Sequence, residues 1–586
     1  MKLSELNLTL RDVDLGGIDA ESDKRLGDYF VSTPYVRSVY DGKRTLFLGR
    51  KGAGKSAVFA QLDRVLKDAA LSETIVIRVT PDQYAWSALR SYTEQGILPE
   101  QAHTNAWKLT LAIEIAGTLA ASTKSFSGDA RTGVKTLQQF MRTNFGTLRP
   151  DLLSSATSIV RGLQNLNLSA FGFEVGATLE HPEQPVTPAV IGALFSTLGL
   201  VASSVPILIA LDRLDDSWDG SQASRSLLVG LLKAVKDIND RLDYGLENAQ
   251  GIRAVTFLRS DIYDALSFDD KDKHRPTEQN IVWTGKELAE MVQRRLPAHV
   301  GLRDIFESGN MRGSIEPFNY MVKRTFLRPR EVLQFLNECI EVASPEASEI
   351  AKSTIRTAES RYSRWKLDDL KQEYSKVFPD FGVLVEVFRQ ELLRYESLEQ
   401  LGALLRRKCP QLIERHGERL LMETLLNASV IGVRLGNAGQ ARYKSEDLEL
   451  VLPTSGGVYI HQAVARGLNV REPRKPRPEK KAERRAALEA KLFERMMKAL
   501  PMQDISWYKR DAKPSHVLRA PDFESCCLAL SLPLQVKSDT KSLELPHFIA
   551  ETRLKSDQIA YIWLRDELTR IVEAEGFTVE GFLRGS

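Results

Sequence analysis

The sequence predicts a multidomain α/β protein: a parallel-sheet core, a helical lid, a further helical region and a small C-terminal α/β domain. Three observations carry this prediction. A strand, a glycine-rich loop and a helix follow one another at 45–68, and a second apolar strand, 207–211, ends in Asp212. Residues 471–485 mix Pro with Arg and Lys and mark a boundary, after which helix and strand patterns begin again. The chain has 586 residues, enough for roughly three or four domains.

Composition narrows the classes. With 43% hydrophobic and 27% charged residues the chain is ordinary globular protein, neither fibrous nor disordered. Its 80 basic side chains nearly balance 77 acidic ones, so affinity for nucleic acid would have to come from local patches. The first residues lack the apolar core of a signal peptide, and no apolar run reaches the roughly 18 residues of a membrane span. A cytoplasmic protein without a membrane partner is expected. Four cysteines, at 339, 409, 526 and 527, fit neither a disulfide framework nor paired zinc spacing.

The element order begins with a lead-in over 1–40 and a core over 41–285. Gly49-Arg50-Lys51-Gly52-Ala53-Gly54-Lys55-Ser56 matches G-x-x-x-x-G-K-[ST], with the strand before it and the helix after it that a P-loop requires. Gly49, Gly52 and Gly54 let the backbone wrap phosphates, Lys55 neutralises them, and the Ser56 hydroxyl ligates magnesium. The expected cofactors are ATP and Mg2+. Asp212 leaves its buried strand where magnesium would sit and is the second metal residue. Asp215 and Asp216 follow, and either carboxylate would orient the attacking water.

A third strand, "IRAVTFLRSDIY", ends in Arg259 and Ser260. A guanidinium at a buried strand tip needs an anion, either a γ-phosphate or a structural carboxylate. Residues 123–195, with Gly and Ser clusters, read as an insertion between core strands. Residues 286–360 read as a lid of amphipathic helices, one starting at Arg328-Pro329-Arg330.

These residues resemble a P-loop ATPase of the STAND or AAA+ group, including bacterial ATPases with "GRKGxGKS" and "DRLD". The Asp212-to-Asp216 run is similar to the Asp-Gly-Leu-Asp-Glu signature of NACHT-type STAND proteins, with Arg213 in place of Gly and Asp216 in place of Glu. The resemblance implies that Arg328 or Arg330 acts as a second sensor arginine and that subunits assemble into a homo-oligomer. Residues 361–470 are mostly helical, and their last part is similar to a winged-helix domain with a turn at Gly436 to Gly439. Arg434, Arg442 and Lys444 lie on or beside that wing, which either touches nucleic-acid phosphate or packs against the nucleotide domain.

The linker at 471–485 is a phosphate tether or a solubilising spacer, and residues 486–586 form the last domain. Pro521-Asp522 and Gln535-Val536-Lys537 resemble the two strands of a PD-(D/E)xK nuclease core of the Mrr type, with Gln in place of the acid. Asp522 and the Gln535 carbonyl would share magnesium while Lys537 polarises phosphate or water. Glu524 and Glu494 are further carboxylates for that site. A strand at Ile559 to Leu564 and a final helix would complete it. An inactive nuclease-like fold and an unrelated α/β domain are the alternatives.

The expected function is therefore an ATPase controlling a metal-dependent nuclease that acts on DNA or RNA. By analogy of architecture, bacterial anti-phage defence with a companion defence protein is implied. The other reading is an ATP-driven switch or scaffold whose tail binds without cutting.

Overall fold

A computed structural model describes residues 1–41, 44–80, 99–150, 169–171, 188–216, 218–248, 250–434 and 440–472, and the strands 507–510, 515–519, 536–537 and 542–545. The chain divides into two units, Met1–Glu472 and Pro473–Ser586.

The first unit is built on five parallel strands: β1 (Leu46–Gly49), β2 (Ile75–Val79), β3 (Ile207–Leu211), β4 (Ile252–Arg259) and β5 (Glu278–Asn280). Their spatial order is β2-β3-β4-β1-β5. Every residue of β1, β3 and β4 is buried, as strands covered on both faces should be. The register aligns Leu211 with Thr256 and Gly49 with Arg259, so β4 outruns β3 by three residues. Gly49, Asp212 and Arg259 thereby come to the same carboxyl edge, where a parallel sheet presents its ligand crevice.

One face of the sheet carries α1 (Lys55–Ala60), continued after a break by Leu62–Asp68. The other carries α2 (Pro99–Ala120), α3 (Gly128–Phe145), α4 (Pro188–Ala202) and α5 (Gln222–Leu242). The stretch expected to be an insertion contributes to this layer. Leu137, Phe140 and Met141 of α3, and Leu194 and Leu198 of α4, join the same apolar core as β3 and β4. Trp107 of α2 is fully buried and donates its indole N–H to Leu227 O of α5 at 3.0 Å.

The stretch expected to form a lid carries α6 (Gly285–Gln293), α7 (Pro329–Val342) and the start of α8 (Lys352–Ser375). Thr284 and Glu287 cap α6 reciprocally. Pro329 occupies the first turn of α7, where its missing N–H costs nothing. Leu3, Leu10, Val13 and Leu15 of the lead-in pack into the lid core beside Val332, Phe335 and Tyr362. Beyond the lid, β6 (Arg394–Tyr395), β7 (Ile431–Arg434) and β8 (Gly457–Ile460) form an antiparallel sheet in the order β6-β8-β7. It packs with α9 (Leu398–Lys408), α10 (Pro410–His416), α11 (Glu418–Asn427) and a closing α12 (Gln462–Ala465). Helix, strand, strand and helix follow in the expected order, and the turn at 435–439 lies outside the described residues.

In the second unit, β9 (Trp507–Arg510), β10 (Ser515–Arg519), β11 (Val536–Lys537) and β12 (Ser542–Leu545) form an antiparallel sheet ordered β11-β12-β10-β9. Among the described residues no helix is long and apolar enough to cross a membrane.

If α2 belongs to the sheet core, Trp107→Ala should lower unfolding free energy by about 3–5 kcal/mol in urea titrations followed by circular dichroism. A loss below about 1 kcal/mol would contradict that placement.

Candidate functional site

The Gly49–Ser56 loop rises from the buried end of β1 and turns into α1. Gly52 has φ +78° and Gly54 φ +98°, the left-handed region that only glycine enters without strain. A Cβ at Gly52 would also lie 2.9 Å from Cβ of Arg330, so the lid approaches the bare backbone closely. Lys55 folds back over the loop and donates to Gly49 O at 3.0 Å and Arg50 O at 3.3 Å. Burial lowers its ammonium pKa, against the attraction of Asp215 and Asp212.

The Ser56 hydroxyl lies close enough to the Asp212 carboxylate to favour its charged form. Asp212 is 2% exposed. Burial raises its pKa above the usual carboxylate range, while the nearby Ser56 hydroxyl and the Lys55 charge oppose the rise. The sheet therefore brings together a lysine, a hydroxyl and a carboxylate from two strand ends.

Arg213 takes φ +62°, a left-handed conformation that residues other than glycine seldom adopt. Its guanidinium turns outward to Asp216 at 2.9 Å. Asp216 is thus held at the surface by Arg213. Asp215 lies 3.5 Å from Arg259 and is the first of the carboxylates attracting Lys55.

Arg259 is held by Asp261, with contacts of 3.2 and 2.6 Å, and donates to Glu373 O of α8 at 2.8 Å. Structural carboxylates satisfy this guanidinium. Ser260, the other residue at the strand tip, starts a short helix and lines a neighbouring cavity.

Arg328 donates to Lys51 O at 3.0 Å and to buried Glu373 at 2.9 Å. Lys51 reaches Asp369 at 3.0 Å, and Arg50 reaches the Tyr374 hydroxyl at 2.7 Å. Fully buried Lys366 bonds Glu331 at 2.8 Å and Asp369 at 2.9 Å. Burial pushes the Asp369 carboxyl up, but Lys366 and Lys51 more than reverse this and hold it below the usual range. The two basic residues inside the glycine loop are thereby fastened to α8.

Arg330 instead faces a cleft of 140 Å3 above Gly52, Gly54, Lys55 and Ser56. Its opposite wall is Ile18, Leu26, Pro329 and Leu333, with Asp19 3.5 Å from Arg330. Ile18 and Leu26 were not legible as site residues, because a lead-in reaches the loop only through tertiary packing. Their apolar spacing beside Gly16 and Gly17 is the only local signal.

The basic residues expected on or beside the wing have protein partners. Arg434 bonds the Tyr459 hydroxyl at 3.2 Å, Arg442 lies 3.8 Å from Asp447, and Lys444 donates to Leu450 O at 2.8 Å. Glu494, Asp522, Glu524 and Gln535 lie outside the described residues, as do the linker at 473–485 and the strand expected at 559–564. Lys537 is on β11, and β12 stands between it and β10, the strand that ends three residues before Asp522. Among the described residues there is no group of three or more His, Cys, Asp or Glu side chains placed to hold a metal.

A family model described as "FunZ-associated C-terminal helical domain" matches residues 284–371, from the cap of α6 into α8. The chain is 25% identical over 464 residues to a putative transposon gamma-delta 80.3 kDa protein of Escherichia coli (strain K12), covering 74% of this chain and 62% of that protein. It thus spans less than two thirds of that relative. It is also 28% identical over 177 residues to allergen Alt a 2 of Alternaria alternata, covering 28% of this chain and 90% of that protein.

Because Asp212 is buried with a raised pKa, its charge opposes folding at neutral pH, and that penalty is relieved as pH falls through the raised value. Asp212→Asn should therefore raise the melting temperature of the nucleotide-free protein at neutral pH. The gain should shrink on acidification. A lowered melting temperature, or a gain that grows toward acid, would contradict the assignment.

Proposed function

We propose that this chain binds Mg2+ and ATP at the Gly49–Ser56 loop and uses the nucleotide to control its C-terminal unit, a metal-dependent nuclease acting on DNA. The observation that carries the nucleotide half is buried Asp212 at the tip of β3 facing Lys55, which lies folded over the glycine loop, with Ser56 beside them. A hydroxyl and a buried carboxylate suit a hard, oxygen-seeking cation, and Lys55 with the left-handed glycines suits polyphosphate. Ser56 and Asp212 would hold Mg2+, which when bound neutralises phosphate charge.

The chain's own residues do the rest. Lys55 exchanges the carbonyls of Gly49 and Arg50 for phosphate oxygens. Asp215, on the Lys55 side of its loop, orients water, whereas Asp216 is occupied by Arg213. Arg330 moves from Asp19 to phosphate, and Ile18, Leu26 and Leu333 receive the base. The cleft is smaller than the roughly 300–1,000 Å3 of typical ligand sites, so binding must part the lead-in from the lid.

The nuclease half rests on the sequence of Asp522, Gln535 and Lys537. The transposon named for the E. coli relative supports a role at mobile DNA, with anti-phage defence as the setting. A companion defence protein and self-assembly complete the reading.

Lys55→Ala should weaken ATP binding by about 10- to 100-fold in calorimetry, the value of a lost charge-assisted contact. Lys537→Ala should leave ATP affinity unchanged and abolish magnesium-dependent cutting of plasmid or linear DNA. ATP binding by Lys55→Ala equal to wild type would defeat the nucleotide half. Equal cutting by Lys537→Ala would defeat the nuclease half and favour a switch or scaffold.

A further inference from the structure

Helix α8 buries Ile355, Ala358, Glu359, Tyr362, Ser363 and Lys366 against the lid. Its opposite face is a row of Arg356, Thr357, Ser360, Arg361 and Arg364, all exposed. At about 100° per residue these five side chains fall within an arc of about 140°, and Arg356 and Arg364 stand about 12 Å apart along the axis. Arg466, just after α12, joins them to line a surface cavity of 450 Å3. A second cavity of 880 Å3 shares Arg356 and Arg466 and adds Arg312 and Arg324.

The charges here are unbalanced. Six arginines line the two cavities against the carboxylates Glu359 and Glu472. Glu359 is buried and already shared between Arg324 at 2.9 Å and Arg466 at 3.6 Å. Glu472 lies 3.8 Å from Arg312. Glu307 feels Arg356 only weakly and is engaged by Lys352. Arg356, Arg361 and Arg364 make no ion pair within 4.0 Å among the described residues, unlike most arginines of this unit.

Unpaired guanidinium groups held in a row on a rigid helix repel one another, and a chain of phosphates relieves that repulsion. Interleaved Ser and Thr hydroxyls are the usual further donors to phosphate oxygen. The 12 Å span is close to the roughly 12 Å width of the DNA major groove between its backbones. No large apolar side chain is exposed on this face, which argues against a lipid surface.

We propose that this face of α8, with Arg466, binds the phosphate backbone of duplex DNA. It is separate from the wing, whose basic side chains are spent on protein partners. The contact carries no base readout; it positions the duplex.

The test is fluorescence anisotropy of a short labelled DNA duplex with the full chain, in chelator so that no cutting occurs, across a salt series. Replacing Arg356, Arg361 and Arg364 together by Ala removes three phosphate partners, so the log–log salt slope should fall by about 2.7 and affinity near physiological salt by at least ~10-fold. The three residues are exposed and unpaired, so ATP affinity and melting temperature should not move. A second variant with Lys at all three positions should recover most of the slope. Absence of duplex binding by wild type, an unchanged slope in the Ala variant, or a loss confined to RNA duplexes would each overturn the proposal. None of these readouts depends on ATP turnover or cleavage.

Discussion

Lys366 is the constraint on which the lid and the glycine loop both depend. Its ammonium is fully buried between Glu331 and Asp369. Taking ions out of water costs several kcal/mol each, and only close pairing offsets that. Arg328 with Glu373, and Lys51 with Asp369, extend the same connected set to the backbone of the loop. Removing the Lys366 ammonium would leave the buried Glu331 and Asp369 carboxylates short of a partner, at a cost of about 3–5 kcal/mol. The set therefore ties α7, α8 and the loop to one another.

That coupling gives the loop two kinds of residue. The glycines and Lys55 face the cleft, while Arg50 and Lys51 face away from it and grip Tyr374, Asn427 and Asp369. A ligand that draws Lys55 off the carbonyls of Gly49 and Arg50 acts on a backbone that α8 also holds. Nucleotide state would thus be felt along α8 without any long-range pathway, because the contacts are direct. The same helix carries the arginine face, so α8 joins the glycine loop to the surface proposed to meet DNA.

What was legible in the sequence was local. The order of strand, glycine loop and helix fixed the Gly49–Ser56 geometry, and an unbroken apolar strand put Asp212 at the sheet edge. Pro329 marked the start of α7, and Arg328 was singled out there, although its contact proved to be with the Lys51 carbonyl. The partners of those residues were not legible. Lys366, Asp369 and Glu373 read as ordinary charges of a polar helix, yet they lie on its buried side with Ile355, Tyr362 and Leu370. The row of charges on an apolar stripe was the available signal. Likewise α3 was read as inserted because its apolar residues count for the core only once α2 and α5 are beside it. Arg259 could be narrowed to two anions, and the structure puts the carboxylates of Asp215 and Asp261 beside it.

The central claim is that Mg2+ and ATP at the loop are felt by α8 through Arg50 and Lys51. Amide hydrogen exchange of the full chain, with and without saturating Mg2+ and ATP, tests it most directly over residues 15–30, 49–60 and 363–376. The account predicts altered exchange in all three segments on adding nucleotide, with the change over 363–376 lost when Arg50 and Lys51 are both replaced by Ala while that over 49–60 survives. Slowed exchange over 49–60 in wild type with 363–376 unchanged would contradict it.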